Sequence, residues 1–452
     1  MHKKTKANAG EFAYSKADLA SLAQAALAHA KSLGASACDV EVTEGFGQGV
    51  NVRLGEVETI EYNRDKGIGV TVYFGQQKGH ASTSDFAPQA LRDTVAAAAS
   101  IARYTAADDC AGLADPARLA HQPQDLDLYH PWTLSVEDAI EQAMRCEQAA
   151  RAVDSRISNS EGASVNTQSS HFIYANSNGF CDGYATSRHS ISCSVIAESA
   201  AGMQRDYWYS VARRAIDLDP AEQVGKMAGN RTVRRLDARK IATGQVPVLF
   251  EASLAAGLIG HFTSAISGGS LYRKSSFLLD SLGTQVFSPL VQIAERPHLP
   301  RALASSAFDA EGVATVDREL VQNGVVGGYL LGSYSARKLG MQSTGNAGGG
   351  HNLLVGSTGE DFAALLQKMG SGLLVTELLG HGVNQVTGDY SRGAAGFWVE
   401  NGVIAYPVEE ITIAGNLRDM FKGIVAIGSD VLVRGSKQCG SILIDNMMVA
   451  GN

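Results

Sequence analysis

Glu377, His381, Asp389, Tyr390, Ser391 and Arg392 crowd into one stretch, Thr376 to Gly402, with glycines at 380, 382, 388, 393, 396 and 402. Carboxylate, imidazole, phenol, hydroxyl and guanidinium groups move protons, hold metals and clamp anions. Glycines among them mark backbone that turns sharply or lies against other backbone. A Glu and a His four apart, as at Glu377 and His381, can share a helix face. A zinc hydrolase helix, however, needs two histidines at that spacing plus a base. Gly380 and Gly382 also make this segment a poor helix. The stretch reads instead as a buried strand from Leu373-Leu374-Val375, then a glycine-lined surface, then a hairpin turning at Asn401-Gly402.

Two further segments carry candidate chemistry. Glu251 to Phe262 reads as a helix bearing His261, with Gly257 and Gly260 in its interior. Each glycine there costs up to about 1 kcal/mol relative to alanine, which predicts another backbone in close approach. A lone histidine such as His261 is usually packed and hydrogen-bonded. The second segment, Asn346-Ala347-Gly348-Gly349-Gly350-His351-Asn352, is rich enough in glycine to cradle a phosphate. It lacks the Lys-Ser/Thr pair and the strand-to-helix junction that nucleotide loops use. No G-x-S-x-G elbow occurs anywhere. Residue by residue, this is a glycine-lined α+β protein without a complete catalytic set.

The elements that must position these residues fall into three sections. A helix is expected from Ser15 to Leu33, with Ser15 as its cap and Gly34 after its end. Period-two alternation at Val40/Val42, Val50/Val52/Leu54 and Ile68/Val70/Val72/Phe74 predicts strands with one wet face. A helix from Pro88 to Arg103 completes an N-terminal α+β domain, 1–115. Ala106 to Trp132 has no periodicity and three prolines, which marks a linker or a wrapped arm. The middle domain, 116–240, opens with a helix capped at Ser135. Strands follow around Ala163-Ser164-Val165, His171 to Tyr174, Ile191 to Ile196 and Arg205 to Tyr209, and then a polar helix from Asp219 to Arg235. The C-terminal domain, 241–452, is glycine-rich. It is expected to run from a Val246 to Phe250 strand to a last strand pair at Ser441 to Ile444 and Met447 to Val449.

Composition narrows the function classes. The 452 residues are 45% hydrophobic and 19% charged, with 49 glycines and 10 prolines, as in an ordinary folded protein rich in turns. A net charge of −8 argues against nucleic-acid binding. The basic start at Lys3-Lys4 is not followed by the apolar run of a signal peptide. No segment approaches the about 20 apolar residues that span a bilayer. The six cysteines are scattered with no C-x-x-C pair, which points to free thiols in a reducing cytoplasm.

Three long motifs then point to a family. Ser267-Gly268-Gly269-Ser270-Leu271-Tyr272-Arg273-Lys274-Ser275, Ser333-Tyr334-Ser335-Ala336-Arg337-Lys338-Leu339-Gly340 and the run from Gly388 to Gly402 together closely resemble the PmbA (TldE) branch of the TldD/PmbA family. The resemblance covers essentially the whole chain after the tail and is most specific in the last two hundred or so residues. It implies a cytoplasmic heterodimer in which a TldD-like subunit carries a zinc peptidase site and the TldE-like subunit does not. Such complexes are expected to process small or unfolded peptides, including peptide-antibiotic precursors and an antitoxin. The TldD-branch metal site uses H-E-x-x-x-H and a later Cys. Laid on this chain, those positions fall at Ala256, Gly257, His261 and Cys439. The first histidine and the base are therefore absent. Zinc is expected on the TldD-like partner and no cofactor on this chain. An effect on DNA gyrase finds no support in so acidic a sequence.

The resemblance leaves three functions to separate. In the first, this subunit is non-catalytic and helps form the peptide cleft, with Gly388, Tyr390, Ser391, Arg392, Gly393 and Gly396 as its wall or as a partner surface. A peptide would add there as a strand along an exposed sheet edge. In the second, the chain is a homo-oligomeric peptide-binding module that acts without a catalytic partner. In the third it is itself a peptidase, built from His261, Cys439 and a displaced Glu377 or His351.

Overall fold

The computed structural model describes residues 10–451, so the basic tail at Lys3-Lys4 lies outside the described residues. Helix Lys16–Ser32 begins where expected. Ser15 caps it and Asp18 returns the bond to the Ser15 backbone, forming a capping box. Its Leu19, Ala23, Ala26 and Ala30 stripe packs on Val40, Val42, Ile68, Val70 and Val72. These valines and isoleucines are the inward positions of two very long strands, Ala37–Arg53 and Glu56–Phe74. Over these stretches burial of every second side chain holds the register, because a one-residue slip would turn the apolar set outward, whereas residues 56–66 of the second strand are exposed on both faces.

Those strands belong to a seven-stranded antiparallel sheet that also takes in the next section of the chain. Its order is Gln77–Thr83, Glu56–Phe74, Ala37–Arg53, Asn159–Asn176, Ala185–Ser199 and Gly202–Ala212, with Cys181–Asp182 beside Asn159–Asn176. Ala37–Arg53 pairs continuously with Asn159–Asn176, from Asp39 opposite Asn176 to Val52 opposite Ala163. The expected boundary at 115/116 is thus a break in chain order, not in the sheet. The separate strands expected at Ala163 to Val165 and His171 to Tyr174 are one strand of 18 residues. Its inward series Val165, Thr167, Ser169, His171, Ile173 is polar in the middle, which interrupts the apolar alternation without interrupting the ladder.

Helices Lys16–Ser32 and Pro88–Tyr104 cover one half of this sheet, and Val136–Arg151 and Ala221–Arg234 cover the other. On the opposite face Phe172, Tyr174 and Phe180 meet Phe308 and the linker residues Leu119, Leu126 and Leu128. The linker is a wrapped arm. Arg337 anchors it by donating to the carbonyls of Cys110 at 2.7 Å, Gly112 at 2.7 Å and Leu113 at 3.0 Å.

The last section builds a six-stranded sheet in the order Val403–Asn416, Asp389–Glu400, Gly372–Leu379, Gly244–Phe250, Ile442–Ala450 and Ile424–Ile427. Thr412 to Ala414 also pair with Met448 to Ala450, which closes five of the strands into a ring. The expected last strand pair is a single strand, Ile442–Ala450, irregular between Ile444 and Met447. The hairpin turn falls at Asn401 and Gly402, whose φ angles of 51° and 74° are the left-handed values a two-residue turn requires. A second, five-stranded sheet runs Val325–Val326, Arg318–Gln322, Ile293–Glu295, Leu353–Val355 and Lys437–Gln438. Helix Ala252–Ala265 lies in the same core as both sheets, burying Ala255, Leu258, Ile259, Phe262 and Ala265.

Candidate functional site

Helix Ala252–Ala265 follows directly on strand Gly244–Phe250, and its apolar stripe dictates which face is left over. That face carries Ala256, Gly257, Gly260 and His261. A side chain at Gly257 would meet nothing within 4 Å, and one at Gly260 only Lys437 Cε at 3.7 Å. The expected close approach of another backbone is therefore corrected. These glycines front open space, and what they supply is the lack of a side chain.

His261 Nδ1 lies 3.3 Å from Gln385 Nε2, and its ring meets the Tyr390 ring edge-on with centroids 6.0 Å apart. Burial, and then the Arg392 cation, hold its pKa below the ordinary histidine value. Tyr390 is 2% exposed, and burial pushes its hydroxyl up to about 12. The Tyr390 hydroxyl and Arg392 Nε are both buried without an aligned hydrogen-bond partner. Cys439 is buried, with Sγ 3.1 Å from the Gly440 carbonyl, and desolvation followed by the nearby Asp430 charge pushes its thiol up to about 12.

This set does not fit zinc. A catalytic zinc takes three protein ligands in their deprotonated forms, together with a carboxylate base. Here a guanidinium sits beside the imidazole, and Ala256 and Gly257 stand where the first histidine and the base would be. Among the described residues no cluster of three His, Cys, Asp or Glu could hold a metal ion. What the arrangement leaves is a glycine-floored stretch of helix face beside the His261 ring and the Arg392 cation.

The other sequence candidates are absorbed into structure. Glu377 lies in strand Gly372–Leu379 and takes a hydrogen bond from Arg235, whereas His381 is in the exposed loop beyond, so the two do not share a helix face. Asp389 accepts from Thr387 at 2.6 Å and from Asn416 at 3.1 Å. The glycines of the stretch serve internal contacts. A Cβ would lie 1.9 Å from the Leu374 carbonyl oxygen at Gly396, 3.2 Å from Leu379 Cβ at Gly393, and 3.1 Å from Asn416 Oδ1 at Gly388. Strand Asp389–Glu400 is paired along both sides, with Val403–Asn416 and with Gly372–Leu379. Beyond Leu379, Ser391 donates to the Gly382 carbonyl at 2.7 Å. No peptide can add as a strand at Gly388, Gly393 or Gly396, which corrects that expectation. Of the six proposed wall residues, only Ser391 is exposed, and Arg392 and Gly393 are half-buried.

The glycine loop folds around a charge. Glu295, 1% exposed, accepts from the His351 backbone at 2.8 Å, Asn346 Nδ2 at 2.8 Å and Arg318 Nη2 at 2.6 Å, with His351 Nδ1 3.1 Å away. Gly348, Gly349 and Gly350, with Ser267 to Ser270, Tyr272, Tyr334 and Ser335, line a cavity of about 690 Å³. Two of the motif stretches and the glycine loop thus converge on one space. Sequence reasoning missed Glu295, and it missed Arg434, whose guanidinium lies over the Trp208 and Tyr209 rings. Neither sits in an unusual local pattern, and their partners are far away in the chain.

Comparison with known proteins places this geometry. The chain matches the PmbA/TldA metallopeptidase models for domain 1 at residues 38–102, the central domain at 129–236 and the C-terminal domain at 243–451. It is 51% identical to the Escherichia coli protein named metalloprotease PmbA, over 94% of each chain. It is 52% identical to the Haemophilus influenzae metalloprotease PmbA homolog, again over 94% of each. The crystal structure of TldE from Thermococcus kodakarensis superposes with a TM-score of 0.84 at 18% identity, covering 95% of this chain and 100% of that one, a likeness of fold.

Proposed function

This chain belongs to the PmbA/TldD metallopeptidase family, and from that premise we propose that it is the peptide-holding, non-cutting subunit of a two-component zinc peptidase. The observation that carries the reading is the helix Ala252–Ala265. Where a zinc peptidase needs a histidine and a base, this helix has Ala256 and Gly257, and the space over Gly257 is open. His261 and Cys439 remain, but one faces a cation and the other is a buried thiol.

A TldD-like subunit would supply the zinc, the activated water and the bond cleavage. This chain's own residues would bind and orient an extended peptide along the open helix face, between Arg392 on one side and Lys437 on the other. Small or unfolded peptides, including peptide-antibiotic precursors and an antitoxin, are the substrate class that the reading carries, and the cytoplasm is the compartment. No described helix is long and apolar enough to cross a membrane.

The test is zinc content and casein-type hydrolysis, measured on the chain alone and with its TldD-like partner. The expected outcome is neither zinc nor hydrolysis alone, and both with the partner. About one zinc per chain together with chelator-sensitive hydrolysis by the pure protein would overturn the proposal. Persistent homodimers that ignore the partner in size-exclusion chromatography would also overturn it, in favour of a module acting alone.

A further inference from the structure

Where strand Gly202–Ala212 and helix Ala221–Arg234 meet strand Gly372–Leu379, a cavity of about 210 Å³ is lined by four arginines, Arg205, Arg231, Arg235 and Arg434, and by two carboxylates, Asp206 and Glu377. Their charges can be followed one by one. Arg231 faces Asp206 at 3.3 Å and Glu251 at 2.7 Å. Arg235 faces Asp206 at 3.7 Å and pairs with Glu377. Arg205 pairs with Glu161 at 3.2 Å. Arg434 has no carboxylate within 4 Å among the described residues, and Asp219 acts on it only from farther away. Its guanidinium carbon lies 3.7 Å from the Trp208 ring centroid and 4.2 Å from that of Tyr209, cation–π contacts that position it and leave its N–H groups available.

Two more donors in the same walls are unfilled. Thr376 is 9% exposed, and its hydroxyl has no partner. Arg231 Nε is buried and, despite the nearby Asp206, has no aligned acceptor. A buried donor without an acceptor costs about 1–3 kcal/mol, so two beside the Arg434 guanidinium favour an anion in this cavity. Burial, opposed by Tyr209 and reinforced by the like charge of Arg231, holds the Arg434 pKa below its ordinary value despite Tyr207 and Asp219, and an anion beside the guanidinium would favour the cation. The cavity suits one carboxylate with little behind it.

We propose that this cavity receives a single carboxylate of a bound peptide, with Arg434 supplying the charge and Thr376 the second donor. The inference rests on the peptide-holding role and adds a polarity to it. Ser253 and Leu254, at the start of helix Ala252–Ala265, line this cavity, and Thr263 and Ser264, near its end, line the large glycine-walled one. Eleven residues of helix separate Ser253 from Ser264, about 16 Å at 1.5 Å per residue. An extended peptide covers that distance in about five residues. The open Gly257 and Gly260 face lies between.

Fluorescence anisotropy with a labelled, unstructured decapeptide tests the site on the full chain. The peptide is used as its free acid, as its C-terminal amide, and as the amide with one internal glutamate. The free acid is expected to bind about tenfold more tightly than the plain amide, the strength of a charge-assisted contact. The Arg434→Gln variant should remove that difference, and Thr376→Val should reduce it. If the glutamate-bearing amide also binds tightly, the carboxylate comes equally well from a side chain. Equal binding of all three peptides to the native chain would overturn the carboxylate site and leave the peptide-holding role intact. Binding of none would overturn both.

Discussion

Arg318 donates to Glu295 Oε2 through Nη2 at 2.6 Å and through Nε at 3.0 Å, and it is the only guanidinium that reaches that buried carboxylate among the described residues. Desolvation by itself would raise the Glu295 pKa. The His351 hydrogen bonds and the Arg318 charge overcome it and hold the group at about 2, below its ordinary 4.5. A depressed carboxylate contributes stability above its unfolded pKa, and the contribution drains away as pH falls through the folded value. Glu295→Gln is therefore expected to destabilise the protein by about 3 kcal/mol at neutral pH, since it leaves the half-buried Arg318 cation without its carboxylate. The gap in melting temperature between native and variant should narrow as pH falls from 4.5 to 2. A gap that stays constant across that window would refute the account.

Asp39 titrates in the opposite sense. Burial, opposed by bonds from Thr71 and Tyr73, raises its pKa from 3.8 to about 6. A raised carboxylate binds its proton more tightly in the folded state, so its contribution grows as pH falls from about 6 towards 3.8. The Asp39→Asn variant should lose that rise, giving a flatter stability profile than the native protein between pH 7 and 4. Denaturant melts at half-unit pH steps are the measurement.

Much of this architecture was legible because local physics and the fold agree. Ser15 with Asp18, the Asn401-Gly402 turn and the alternating valines of Ala37–Arg53 each specify their element within a few residues. The site was less legible because its meaning lies in distant pairings. Nothing around Gly396 says that the Leu374 carbonyl, twenty-two positions earlier, occupies the space of its missing side chain. Nothing around Gly257 says that its own space is empty. Glycine reads the same in both sequences, and only the third dimension separates a packed glycine from an open one. Arg434 is silent for a related reason, since the rings that hold it belong to Trp208 and Tyr209.

The start of the wrapped arm between the two strands of the shared sheet is held by one short helix, Ser333–Lys338. Arg337 satisfies three arm carbonyls, and Tyr334 and Lys338 from the same short helix donate to Asp108 at 2.6 and 2.9 Å. Hydrogen bonds from a charged donor contribute about 1.5–3 kcal/mol each, less what water returns. Arg337→Ala should cost about 3 kcal/mol and expose the arm selectively. Limited proteolysis should cut first within residues 105–118 while the two sheets stay protected. Uniform loss of protection would mean that the arm is not an independent unit.

The last prediction sets two glycines against each other. Gly257 sits inside a helix with nothing within 4 Å of its would-be Cβ, so Gly257→Ala removes a helix defect at no steric cost. It should stabilise the chain by about 0.5–1 kcal/mol. Gly396 lies in the middle of a paired strand, where a Cβ would come within 1.9 Å of a main-chain oxygen. Gly396→Ala must spread the strands Gly372–Leu379 and Asp389–Glu400 or break their ladder, and about 3 kcal/mol or more should be lost. Differential scanning calorimetry reads both. If Gly257→Ala stabilises the protein yet weakens peptide binding, the open helix face is kept open for a ligand, because stability alone favours filling it.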